Sequence, residues 1–193
     1  MPDSLTLREL HGVIQVVMCW EGIHPFQFML RARRFGSLEL AARSPDVALS
    51  ELRLRVGTRF RYEYDLTGPW EHEVRLERWH EADPQRTYPI CLDGDGSCPP
   101  EDCGGVAGYL ARREAWTTPE AGYDLAVLDG FIDQLALKRS TGRSIDAEEI
   151  NEVQEALERL EGRQGWQGKP FSRKDVNARL RSAEYLDLMH QQW

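Results

Sequence analysis

No apolar run in this chain approaches the roughly 20 residues that a membrane-spanning helix needs. The longest candidate, Val13 to Trp20, is interrupted by Gln15 and followed by Glu21. A secretory signal is missing as well, because the first ten residues hold Asp3, Arg8 and Glu9 and no apolar segment. These absences predict a cytoplasmic chain. In that compartment structural disulfides are unexpected, so the four cysteines read as core thiols or metal ligands. Positive charge is in deficit: 32 acidic against 24 basic residues give a net charge of -8. That argues against a sequence-independent nucleic-acid binder, which needs a basic face to displace counterions. Arg31, Arg33 and Arg34 cluster, as do Arg53, Arg55, Arg59 and Arg61, and both groups read as outward positions on strands and strand ends. Enzyme signatures are absent too. There is no Gly-x-Gly-x-x-Gly, phosphate-binding loop, nucleophile elbow or His-Glu-x-x-His, and no residue is nominated as catalytic.

What is present suits an α+β protein. The 193 residues, 41% of them hydrophobic, suffice for one domain with a helical appendage. Thr6 and Glu9 stand at capping-box spacing ahead of Leu10, Val13, Ile14, Val17 and Met18, one apolar stripe, so a helix is predicted over Thr6 to Trp20. Alternation from Pro25 to Phe35 predicts one strand ending near Gly36, with Phe26, Phe28 and Leu30 inward and Gln27 and Arg31 nearer solvent. Leu49 to Leu54 reads as a short helical turn. Thr58 to Leu66 is the clearest strand, with Phe60, Tyr62, Tyr64 and Leu66 on one side and Arg59, Arg61, Glu63 and Asp65 on the other. A turn at Thr67-Gly68-Pro69 returns it as a second strand over Trp70 to Trp79, an antiparallel hairpin in which Arg61 faces Glu73. Pro84 to Gly108 is too rich in Gly, Pro and Cys for a regular element, and a loop of that length has a function or a clamp. Helices are predicted over Gly122 to Lys138, Asp146 to Leu160 and Ser172 to Met189, with Gly162 to Pro170 as a linker.

Four stretches carry a resemblance: T-L-R-E-L-H-G-V-I-Q-V-V-M-C-W-E (Thr6 to Glu21) followed by His24 and Phe28; G-T-R-F-R-Y-E-Y-D (Gly57 to Asp65); W-E-H-E-V (Trp70 to Val74); and Y-P-I-C-L-D-G-D-G-S-C-P-P-E-D-C-G-G (Tyr88 to Gly105). In this order the set resembles the plasmid pRiA4b open-reading-frame-three-like family, which includes proteins described as passengers of insertion elements. The resemblance spans about Leu5 to Trp116, and the segment F-S-R-K-D-V-N-A-R-L resembles, more weakly, a tail of some members. It implies an extra strand before the first helix, where this chain has only a few residues; an absent strand would leave a sheet edge exposed. It also implies Gly-Asp-Asp before Trp70, where this chain has Thr67-Gly68-Pro69.

Cys91, Cys98 and Cys103 are candidate ligands for zinc, which takes four donors tetrahedrally. The resemblance makes His24 the first choice as fourth ligand, with His72 and Asp102 as alternatives. The competing reading packs the three thiols as small apolar groups, or joins two in a disulfide. The string Asp93-Gly94-Asp95-Gly96-Ser97 suggests calcium, but the sixth and twelfth positions of an EF-hand loop would be Cys98 and Gly104, which excludes that loop. Alternation separates Glu71 and Glu73 from His72, so these three form no acid/base cluster. Glu101 and Asp102 beside Cys103 would orient a nucleophile, cap a helix starting near Gly104, or satisfy loop amides. Trp20, Tyr62, Tyr64 and Trp70 read as core between helix and hairpin, or as a shallow aromatic surface.

The architecture expected is an antiparallel sheet packed against an N-terminal helix, with a cysteine-rich loop and a C-terminal helical segment. Residues 1–116 form the α+β domain and 117–193 the helical extension. The function expected is a non-enzymatic accessory or protein-interaction module of a plasmid or mobile-element setting, with a protein partner or self-association at an exposed sheet edge and no membrane. The alternatives are a zinc-dependent hydrolase or nucleic-acid-processing enzyme, and a DNA-binding regulator using Arg173, Lys174, Arg179 and Arg181.

Overall fold

The computed structural model describes residues 1–114, 118–141, 146–164 and 168–189. The chain divides into two compact units: Met1–Val106 with Lys169–Trp193, and Ala107–Gly168. The α+β architecture read from the sequence is the one observed in the first unit.

Helix α1 spans Leu7–Met18. Its start is the predicted capping box: the Glu9 amide donates to Thr6 Oγ1 at 3.1 Å and the Thr6 amide to Glu9 Oε2 at 2.7 Å. It ends at Cys19, which takes a left-handed conformation (φ 57°). The stretch predicted as one strand is a hairpin, β1 (Phe26–Leu30) and β2 (Arg33–Gly36). Its two-residue turn, Arg31-Ala32, has positive φ at both positions, the geometry that suits hairpin twist. Neither residue is the Gly or Asn that announces such a turn, so alternation ran on through it. Residues 49–53 form the expected helical turn, with Arg53 N bonded to Ser50 O.

Strands β3 (Arg59–Tyr64) and β4 (Trp70–Arg75) make the predicted hairpin, although β4 stops short of Trp79. The sheet order is β2-β1-β3-β4, antiparallel throughout. Register places Phe35, Phe28, Tyr62 and His72 in one row across all four strands and Arg34, Met29, Arg61 and Glu73 in another. Arg61 lies opposite Glu73 as expected, but the ion pairs run diagonally from Arg59 to Glu73 at 2.8 Å and from Arg61 to Glu71 at 3.4 Å, and along β3 from Arg61 to Glu63 at 3.4 Å. Gln27 and Glu63 are buried, contrary to the alternation reading, because register sets them side by side and Gln27 Nε2 donates to Glu63 Oε2 at 2.6 Å.

The apolar row packs under α1. His11, Gln15, Trp20, Phe28, Tyr62 and Tyr64 are fully buried. The imidazole of His11 stacks on Phe26 at 3.8 Å, and Tyr62 Oη lies 2.7 Å from His11 Nδ1 while accepting from Gln15 Nε2 at 2.8 Å. Trp20, Tyr62, Tyr64 and Trp70 are therefore core, not an aromatic surface.

The two sheet edges differ. On β2, Gly36 N bonds Arg43 O at 3.0 Å and Arg43 N bonds Arg34 O at 2.9 Å, so the following segment covers that edge. Strand β4 pairs only with β3 among the described strands. Leu76 directs both main-chain groups at the β3 side, donating to Thr58 O and accepting from Gly57 N. Antiparallel alternation then turns the main-chain groups of Trp70, His72 and Val74 toward β3 and those of Glu71, Glu73 and Arg75 outward.

The loop between β4 and α2 (Gly105–Glu114) is clamped by the chain's last described segment. Strand β5 (Ser97–Cys98) pairs with β6 (Lys169–Pro170). Asn177 brackets Cys91, accepting from its amide and donating to its carbonyl, each at 2.8 Å. The single helix predicted over Ser172 to Met189 is two, α5 (Arg173–Arg181) and α6 (Glu184–Leu188), broken where Ala183 takes φ 60°. Helix α6 packs on α1 at Gly12, which faces the Tyr185 carbonyl.

In the second unit α3 (Pro119–Thr141) packs on α4 (Ala147–Gln164). Asp146 and Glu149 form the predicted cap, with Glu149 N to Asp146 Oδ1 at 2.8 Å. The buried side of α3 is built from Ala121 and Asp124, the latter held by Arg159 and Arg163. Leu125, Ile132 and Leu135 are exposed and Leu128 is half-buried, so the apolar spacing over Gly122 to Lys138 does not mark the buried side.

Candidate functional site

The polar residues singled out by the sequence meet where the loop after α1, the end of β3 and the loop before α2 converge. Trp20 anchors that meeting: it stacks on Tyr64 with ring centroids 5.0 Å apart, and its indole N–H donates to Pro99 O at 2.9 Å. This contact positions Glu101. One carboxylate oxygen of Glu101 accepts from Glu21 N at 2.7 Å, and the other accepts from Ile23 N at 3.1 Å and from the Tyr64 hydroxyl. Of the three roles open to Glu101, satisfying loop amides is the one observed. Tyr64 Oη in turn accepts from His24 N at 3.1 Å. Burial, reinforced by the Glu101 carboxylate, pushes the Tyr64 phenol well above its ordinary range, so it stays protonated.

His24 projects from this loop with its side chain 24% exposed. Its Nε2 lies 2.7 Å from Asp102 Oδ1 and its Nδ1 3.9 Å from Asp65 Oδ1. Asp65 is buried, contrary to the alternation reading. It takes φ 54°, and its carboxylate caps the turn, accepting from Thr67 N at 3.2 Å and Thr67 Oγ1 at 2.6 Å. The two carboxylates thus face opposite nitrogens of one imidazole. They lie on opposite sides of the ring and do not converge on a common point. Only Nε2 is hydrogen-bonded; Nδ1 approaches Asp65 at ion-pair distance without a hydrogen bond.

The proposed zinc ligands occupy separate surroundings. Cys91 Sγ lies 3.4 Å from Asp93 O, Cys98 Sγ 3.3 Å from Val17 O and Cys103 Sγ 3.6 Å from Gly105 O. His72, an alternative ligand, faces the core beside Trp20 and Tyr62, and burial lowers its pKa. Among the described residues no group of three or more His, Cys, Asp or Glu is placed to hold a metal ion. The basic residues named for DNA are partly used within the fold: Arg173 donates to Leu92 O, and Arg179 to Val16 O and Glu184.

Removing the Glu101 carboxylate is expected to be costly. Glu101→Ala leaves two amides and a buried hydroxyl without their acceptor, a loss of at least about 2 kcal/mol. Denaturant unfolding measures it, and faster amide exchange at Ile23 locates it.

A depression of about 590 Å³ lies across the sheet over β1, β3 and β4, lined by Met29, Arg59, Phe60, Arg61, Glu71, His72 and Glu73. Alternation placed Arg59, Arg61, Glu71 and Glu73 on one face but not which strand would stand at the sheet edge.

Comparison with known proteins follows the same outline. A family profile described as plasmid pRiA4b ORF-3-like protein matches residues 1–131. An uncharacterised protein, y4hQ, of Sinorhizobium fredii is 33% identical over 126 residues, 62% of this chain; the match spans 64% of that relative's length. A crystal structure of a protein of unknown function from Methanosarcina mazei Go1 superposes with a TM-score of 0.56 at 30% identity, over 62% of this chain and 71% of the other. No described helix is long and apolar enough to cross a membrane.

Proposed function

The chain belongs to the plasmid pRiA4b ORF-3-like family, and from that premise we propose that it is a non-enzymatic accessory module of a plasmid or mobile-element setting that binds another polypeptide along β4. The observation that carries this reading is the orientation of the β4 main chain: the N–H and C=O groups of Glu71, Glu73 and Arg75 face away from β3. An uncovered edge of this kind is a template for strand addition. The side chains at the same positions are charged and exposed, which discourages indiscriminate pairing and selects a strand of complementary charge. In the polar cluster around His24 the Glu101 carboxylate is taken up by two loop amides and the Tyr64 hydroxyl, and His24 Nε2 by Asp102, which is compatible with the non-enzymatic part.

Glu73→Pro tests this. Proline removes an outward N–H but no ladder bond to β3, so the fold survives. Full-length chain immobilised as bait, and sedimentation of the free chain at rising concentration, cover a foreign partner and a second copy respectively. The expected result is capture or self-association by the wild type that drops at least about tenfold in Glu73→Pro, the factor equivalent to 1.4 kcal/mol. Binding by the proline variant equal to wild type would overturn the reading.

A further inference from the structure

Three side chains converge on the last turn of α1. Arg179 Nη1, from α5, donates to Val16 O at 2.9 Å. Cys98 Sγ, from β5, lies 3.3 Å from Val17 O. Cys19 is the cap itself, with its amide bonded to Val16 O at 3.3 Å. The side chains of Cys19 and Cys98 interact electrostatically at this turn, as do those of Arg179 and Cys19. Both cysteines are free thiols, although 79 positions separate them in sequence.

We propose that Cys19 and Cys98 form a redox modification site, a dithiol that low-molecular-weight disulfides convert to a Cys19–Cys98 disulfide. The two thiols are not equivalent. Cys19 is partly exposed, so a small disulfide can reach its sulfur. Cys98 is buried, and burial pushes its thiol up to about 11. Cys19 is therefore the attacking group and Cys98 the resolving one.

In the first step the Cys19 thiolate attacks one sulfur of a disulfide RS–SR. The S–S bond breaks, one RS⁻ departs with the electron pair and takes a proton from water, and Cys19 carries the other RS group. In the second step Cys98 gives its proton to solvent and attacks the Cys19 sulfur, releasing the second RS⁻, which is protonated in turn. The protein loses two protons and two electrons, and RS–SR takes them up to become two RSH. The product staples the C-terminus of α1 to the β5–β6 ribbon, where the segment from Lys169 joins the first unit.

Oxidised glutathione and the full-length chain test the site. After incubation and quenching, alkylation of the unfolded protein should find two of the four cysteines blocked, and digestion should yield one cross-linked peptide pair containing Cys19 and Cys98. Cys98→Ser should stall with glutathione held on Cys19, and Cys19→Ser should take up none at Cys98. The wild-type peptide map stands even if a variant folds poorly. Four alkylatable thiols after oxidation, a cross-link through Cys91 or Cys103, or Cys98→Ser with no glutathione at Cys19 would each overturn the proposal.

Discussion

Gly12→Ala is expected to detach α6 from α1 and to cost about 3 kcal/mol, the upper end of what one added carbon costs in a packed interior. The new Cβ would lie 2.0 Å from the Tyr185 carbonyl oxygen and 2.9 Å from its carbon. Backbone cannot move aside as a flexible side chain does, so the contact opens or the helices part. Parting them would also strain the brace beneath, where Arg179 holds Glu184 and the Val16 carbonyl. Two readouts distinguish this from a general loss of stability: protease cleavage within residues 183–189 and faster exchange of the Met189 amide, which now bonds Tyr185 O at 3.2 Å. A matched control is Gly122→Ala in α3, where an added Cβ meets nothing within 4 Å. There the same substitution should stabilise by about 0.5–1 kcal/mol.

Acid should unfold the first unit early, and His11 should be the main reason. Burial holds the imidazole neutral, with its pKa lowered to about 3, and Arg8 adds to the effect. An unfolded histidine titrates near pH 6.5. Below that pH the unfolded chain binds a proton that the folded chain refuses. The stability due to neutral His11 is therefore complete above about pH 6.5 and declines as pH falls toward about 3. The slope is about 1.4 kcal/mol per pH unit for one proton, so roughly 3 kcal/mol is gone by about pH 4.3. His72, also lowered by burial, acts in the same direction. Urea midpoints should hold nearly level from pH 8 to about pH 6.5 and fall from there to pH 5 in the wild type. In His11→Gln, less stable at neutral pH, they should fall with a slope smaller by about one proton. Identical slopes would show that His11 is not held neutral.

What the sequence made legible was local and periodic. Thr6 and Glu9 marked the start of α1 because a capping box is a four-residue event, and Phe60, Tyr62 and Tyr64 marked the inner face of β3 because strand alternation is strict. What it hid was chosen by tertiary context. The Arg31-Ala32 turn carries no turn residue and is imposed by pairing of the strands on either side. Gln27 and Glu63 look like solvent positions until register sets them together. The break at Ala183 exists because α6 must turn to lie on Gly12. The candidate site was legible in membership but not in role: His24, Glu101 and Asp102 were all named, yet only the fold shows Glu101 serving the amides of residues 21 and 23 and His24 lying between Asp102 and Asp65. The proposed Cys19–Cys98 pair joins residues too far apart for any spacing rule to suggest.

The central claim is that β4 presents an uncovered edge, and amide-resolved hydrogen exchange in the dilute, full-length chain tests it most directly. The amides of Trp70, His72 and Val74, turned toward β3, should be protected, and those of Glu71, Glu73 and Arg75 should exchange rapidly, slowing only when a partner strand or a second copy is added. Strong protection of Glu71, Glu73 and Arg75 in the dilute chain would mean that the edge is already covered, and would contradict the account.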